Sequence, residues 1–156
     1  MTLDATLRRH VAREAVVSAL INGALSLGFT FLAFSGMREI QMWGASGLVV
    51  DSVPQGFMTG LMGALVPSLL TRRAVLSGRL HGATAFATPA RHIVVAAILS
   101  ALLAAALLTG VVAAILAIEG SPVIGFGSAL VLKTALGAAL GALVTTIALN
   151  RLLRTR

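Results

Sequence analysis

Leu99 to Ile118 reads LSALLAAALLTGVVAAILAI, a run with no charge and no proline whose polar side chains are only Ser100 and Thr109. A bilayer core is crossed by roughly 20 apolar residues in helical form. The run is far too long for a strand. In hydrocarbon a spanning segment must satisfy its own backbone hydrogen bonds, and a helix does so internally. The apolar segment around the stretch extends from Ile93 to Ile118. Working outward from it, three more segments have the same character: Ala15 to Phe34, Leu48 to Leu70 and Val123 to Leu149. The expected fold is all-α, an integral membrane four-helix bundle.

Composition agrees. The chain is 58% hydrophobic and 11% charged, whereas a soluble domain carries about 25% charged residues. There is no cysteine, which removes disulfides and thiolate metal sites. The net charge of +7 would suggest nucleic acid in a soluble chain. Here the charges sit between apolar runs and form no basic face, so they read as topology signals and no nucleic-acid partner is expected. Arg8, Arg9 and Arg13 before the first apolar run resemble the start of a signal peptide. That run is about twice the usual apolar region of such a peptide, and no small-x-small cleavage site follows. A retained helix is the expectation.

Basic residues assign the sides. They precede the first segment, lie between the second and third (Arg72, Arg73, Arg79, Arg91), and follow the fourth (Arg151, Arg154, Arg156). Elsewhere only Arg38 and Lys133 occur. The positive-inside rule then puts both termini and the middle loop in the cytoplasm, where anionic lipid headgroups are the expected partners. The middle loop, Thr71 to His92, contains Pro89, which disfavours helix just before it. Phe34 to Gly47 (FSGMREIQMWGASG) suits an interfacial segment with Trp43 at headgroup depth. Ile118 to Pro122 (IEGSP) reads as a tight turn.

The halves look alike. REAVVSALINGAL begins at Arg13 and RHIVVAAILSALL at Arg91, an offset of 91 − 13 = 78. At the same offset GALV recurs at Gly63 and Gly141, and Arg73 corresponds to Arg151. A constant offset across two helix pairs is what a tandem duplication leaves, although an Ala/Leu/Val/Gly-rich alphabet also matches itself by chance. The expected repeats are 1–78 and 79–156, parallel copies of a two-helix hairpin about an axis along the membrane normal.

Polar residues recur every four positions, which places them on one helix face. The first segment carries Ser18, Asn22, Ser26 and Thr30, the second Gln55, Thr59, Gly63 and Pro67, and the fourth Lys133, Gly137, Gly141 and Thr145. Gly56-x-x-x-Gly60 and Gly137-x-x-x-Gly141 permit close helix approach. Together with Gly63 they are the expected packing positions, within the chain or between copies. Pro67 should bend its helix and free a carbonyl for Ser68 or a neighbour.

Lys133 is the sharpest signal. A lysine in mid-membrane costs about 2.5–3.5 kcal/mol on insertion scales, so the bundle should compensate it. Asp51 is the first candidate partner and Glu119 the second, while Asn22 and Gln55 offer acceptors. An internal Lys133–Asp51 pair would set helix register. Alternatively Lys133 serves anion or proton passage, or an intersubunit contact. His10, His81 and His92 all fall at the cytoplasmic side, without the facing placement that haem or metal binding within helices requires. Met58 and Met62 share a face and read as packing rather than a soft metal site. No nucleophile–base pair, phosphate loop or acidic pair is present, so neither enzyme chemistry nor a cofactor is expected.

DSVPQGFMTGLMGALVPSLLTRR, Asp51 to Arg73, resembles the small bacterial two-helix membrane modules classed as domains of unknown function. The resemblance implies a bacterial source and an inner-membrane location, and no activity or ligand. The second half has Thr145 where the first has Pro67, as a diverged copy would.

Two functions follow. One is a small transporter or channel for a small solute or ion, with a polar site between the repeats formed by Lys133, Asp51, Gln55, Asn22, Ser26 and Thr59. The other is a non-catalytic accessory or assembly subunit of a larger membrane complex, or of a homo-oligomer, in which the polar stripes hold helices together.

Overall fold

The computed structural model describes residues 4–80, 88–120 and 122–154. Four helices appear in order: α1 (Ala5–Phe34), α2 (Leu48–Leu76), α3 (Ala90–Glu119) and α4 (Phe126–Arg154). Two short strands, β1 (Glu39–Gln41) and β2 (Val123–Gly125), lie in the α1–α2 and α3–α4 connections. All four helices are long and apolar enough to cross a membrane. Their exterior is apolar too: Leu20, Phe29, Leu32, Leu103, Ile118 and Val131 are all largely exposed. His81, most of the middle loop and Arg156 lie outside the described residues.

Several boundaries differ from the sequence reading: α2 runs to Leu76 rather than Leu70, α3 starts at Ala90 rather than Ile93, and α4 runs to Arg154 rather than Leu149. α1 starts at Ala5, not Ala15, so Arg8, Arg9 and Arg13 are helical. Asp4 caps it, accepting a hydrogen bond from the Ala5 N–H at 2.6 Å. Leu7 and Val11, four apart, continue the buried face and pack with Val75, Ile93, Leu149, Leu152 and Leu153. α4 starts at Phe126, not Val123, because β2 commits its backbone to a sheet. α3 ends as its glycine predicts, with Gly120 left-handed at φ 67°.

The helices pack pairwise into a curved row, α1–α4–α2–α3, rather than a closed ring. α1 lies along α4, α2 lies along α3, and α2 meets α4 in the middle. β1 and β2 pair antiparallel, Glu39 with Gly125, Ile40 with Ile124 and Gln41 with Val123. This joins both connections into a cap. Ile40, Met42 and Leu48 are buried beneath it with Phe34 and Leu116. Met42 N–H donates to the Pro122 carbonyl at 3.1 Å, and Phe126 N–H to that of Arg38 at 3.2 Å. The Phe34–Gly47 segment is therefore a paired strand and its flanks, with Trp43 left exposed.

Small residues set the helix spacing. A Cβ on Gly60 would lie 2.7 Å from Ala101 Cα, and one on Gly56 2.8 Å from Ala105 Cα, so α2 and α3 touch backbone to backbone. On the other side a Cβ on Gly141 would lie 2.7 Å from Asn22 Nδ2, and one on Gly137 would strike Ser26. Gly63 has ordinary space, 3.5 Å to Thr145 Oγ1; its role is through its carbonyl. Pro67 lacks the N–H that would reach Gly63 O one turn back. Thr145 Oγ1 of α4 donates to that carbonyl instead, at 2.8 Å. Of the sequence reading's alternatives, Ser68 or a neighbour, the partner is Thr145 of the neighbouring α4.

Thr145→Val should lower stability by about 1 kcal/mol, and by less in a Pro67→Ala background, where Gly63 O regains a helical donor. Unfolding of the four proteins of this cycle in mixed micelles measures the coupling. Gly60→Ala should destabilise through overpacking by about 1–3 kcal/mol. Gly110→Ala, with open space at its Cβ, should be neutral or stabilising; equal effects at the two sites would contradict the α2–α3 contact.

Candidate functional site

The end of the row that carries the strands holds a polar cluster. Lys133 lies on α4 at 133 − 126 = 7 residues from the helix start, which is about 10 Å along the axis. That is shallower than mid-helix. Its side chain points toward the capped end and its ammonium pairs with the carboxylate of Asp51, in the first turn of α2. The Phe34 ring of α1 lies 5.9 Å from the same nitrogen, within cation–π range. One cation thus joins α4, α2 and α1. Asp51 also suits its place, because a carboxylate in the first turn complements the helix dipole. Glu119, the other carboxylate considered, is exposed at the end of α3.

Next to the pair lies Gln55. Its side-chain amide donates to Ser26 Oγ at 2.7 Å and to the Lys133 carbonyl at 3.3 Å. Its Oε1 is buried and has no hydrogen-bond partner among the described residues. Ser18, Asn22, Ser26 and Thr30 are all buried on the side of α1 that faces α4. Ser18 Oγ donates to the Gly141 carbonyl at 3.1 Å, and Asn22 Nδ2 back to Ser18 O at 2.9 Å. Thr30 Oγ1 donates to Ser26 O at 2.7 Å. The stripe is therefore satisfied largely within α1 and against the glycines of α4.

α1 and α2 diverge above α4 and leave a cleft of about 430 Å³. Lys133, Asp51, Gln55, Asn22, Ser26 and Thr59 all contribute to its lining, with Leu25, Phe29, Leu32, Met58 and Met62 among the walls. So the six polar residues singled out by type and spacing border one space. Sequence reasoning placed that space between the halves. Its floor on α4 is where the halves meet, but its mouth opens sideways between α1 and α2. The α2–α4 seam itself is filled by Gly63, Gly141, Val144 and Thr145. Sequence reading missed the walls, because Leu25, Phe29 and Leu32 carry no signal that separates them from other exposed apolar residues.

Two further features lie elsewhere. At the end with the termini, His10 Nε2 and Thr71 Oγ1 share a hydrogen bond at 2.8 Å, tying α1 to α2. A smaller cavity of about 220 Å³ lies between α3 and α4, with His92 and Arg151 at its rim. Among the described residues no three His, Asp or Glu side chains converge as a metal site would require. Compared with known proteins, the chain matches no family model, no curated protein and no solved structure.

Lys133→Met and Asp51→Asn should each destabilise the protein. The loss should fall below the about 3–5 kcal/mol of a fully enclosed pair, because Asp51 keeps 34% of its side-chain surface. Combined, the two changes should cost less than their sum. Denaturant titration in micelles checks this, and strict additivity would contradict the pair.

Proposed function

We propose that this chain is a multi-pass membrane protein that transports a small solute, with the α1–α2 cleft as its binding site. The observation that carries the reading is a charged pair and four further polar side chains bordering a cleft of about 430 Å³ within apolar helices. Ionisable groups within apolar spans are rare and mark solute pathways. The apolar exterior fits lipid as surrounding solvent. Basic residues at the end with the termini fit a cytoplasmic placement of that end, in contact with anionic headgroups, and the cap then faces outward.

Duplication belongs to the same reading. A Cβ on Gly60 of α2 would lie against Ala101 of α3, and one on Gly23 of α1 would lie 3.3 Å from Ala138 Cβ of α4. Both partners shift by the same amount, 138 − 60 = 78 and 101 − 23 = 78. Buried positions follow: Ala104, Leu108 and Val112 of α3 stand where Ser26, Thr30 and Phe34 stand in α1. A pseudo-twofold axis between α2 and α4 along the membrane normal relates the repeats. The smaller α3–α4 cavity is not the repeat counterpart of the cleft: the cleft's α1 and α2 residues shifted by 78 fall at 100–111 and 129–140, and of these only Ser100 lines that cavity.

The second reading, an accessory subunit or homo-oligomer, draws on the apolar rim of the mouth, where Leu25, Phe29, Met58 and Met62 are exposed to receive a partner helix. The inner membrane of a bacterium is the location that goes with either.

Proteoliposomes containing the purified chain decide between them. Transport predicts solute uptake above protein-free vesicles. Ala33→Trp, at an exposed position of the cleft wall, should reduce uptake at least about tenfold, a barrier change of about 1.4 kcal/mol, without changing the melting point. Unaltered uptake in that variant would remove the cleft from the pathway. Absence of uptake, with a stoichiometric partner retained in mild detergent, would favour the subunit reading.

A further inference from the structure

The two charges in the cleft are not equally presented. Lys133 keeps 2% of its side-chain surface and Asp51 keeps 34%. Both side chains line the cleft, and the carboxylate is the more accessible of the two. The accessible charge in the cleft is therefore the anion. The unpaired hydrogen-bonding group beside it, Gln55 Oε1, is an acceptor too, and a buried acceptor left unmade is costly. The walls offer Phe29, Leu25, Leu32, Met58 and Met62, a surface for an apolar body and, through Phe29 and the thioethers, a polarisable one.

We infer that the cleft binds lipophilic organic cations carrying N–H donors, such as arylalkyl ammonium or amidinium ions. The cation competes with Lys133 for Asp51, donates to Gln55 Oε1, and lays its apolar part between α1 and α2. Lys133 is then the internal counter-ion of the empty site. It occupies Asp51 until a solute cation replaces it, and the released ammonium keeps its contact with the Phe34 face. Anions are disfavoured, because the accessible charge is the carboxylate and the ammonium is almost wholly buried. The sign of the solute follows from which partner of the ion pair is exposed, and that cannot be read from the presence of a lysine alone.

This inference rests on the transport reading only for the location of the site, so its test is equilibrium binding without flux. The purified full chain in nanodiscs of neutral lipid is titrated with naphthylmethylammonium, with neutral naphthylmethanol and with naphthalenesulfonate. Empty nanodiscs provide the partition baseline. The ammonium should bind at least about tenfold more tightly than the other two, a difference of about 1.4 kcal/mol. Asp51→Asn should abolish that preference. Lys133→Met should tighten ammonium binding, because the competitor is gone; a merely structural ion pair would give weaker or unchanged binding. Gln55→Leu leaves the charged pair in place and should weaken the ammonium several-fold.

Preference for the sulfonate would overturn the inference and return Lys133 to the role of anion site. Equal partition of all three probes in the unmodified protein would overturn it as well, whatever the variants do. If the ammonium binds as described but no uptake occurs in proteoliposomes, the site stands and transport falls. If another solute is taken up while the ammonium fails to bind, transport stands and this inference falls.

Discussion

Close backbone approach at small residues governs the arrangement. α2 spends one face on α3 at Gly56 and Gly60, and α4 spends one on α1 at Gly137 and Gly141. Those contacts exclude any side chain larger than glycine at the crossing points, because Ala101, Ala105, Ser26 and Asn22 already occupy the space. With both pairs locked, α2 and α4 meet along the one face each has left. α1 and α3 are then held at opposite ends of a row and do not close a ring. The cleft between α1 and α2 is a consequence of this geometry.

A row of helices has weak points where the chain lacks packing, and here polar contacts occupy them. At the capped end Lys133 touches α2 through Asp51 and α1 through Phe34. At the opposite end His10 and Thr71 tie the same two helices. Between these ties the cleft stays open. The cap contributes a further constraint: pairing β1 with β2 joins the two helical hairpins where their connections would otherwise be independent. In the membrane proposed for this chain, helix association gains little from apolar burial. Glycine contacts, the Thr145–Gly63 bond and the Lys133 cluster are then the terms that distinguish this packing from alternatives.

Within the candidate site the same residues answer to both structure and chemistry. Asn22 and Ser26 lie over the glycines of α4 and also border the cleft. Gln55 spends its two donors on Ser26 and Lys133 O, leaving its acceptor unmatched. An amide satisfied on one side only is the chemical asymmetry that a donor-bearing solute would complete.

Helix number, approximate bounds and the polar stripes were legible in the chain itself, because helical periodicity and the length needed to cross hydrocarbon are local properties. Lys133 stood out for the same reason, since its cost depends on its apolar surroundings in sequence. The strands were not legible: Glu39–Gln41 and Val123–Gly125 are too short to carry a pattern, and they exist only because they pair across the fold. The extra turns of α1 depend on Leu7 and Val11 finding Leu149 and Leu152. Spacing marked Lys133, Asp51 and Gln55 as candidates, but not which charge faces outward. Tertiary structure decided that, because exposure depends on how α1 and α2 diverge above α4, and divergence is set by contacts far apart along the chain.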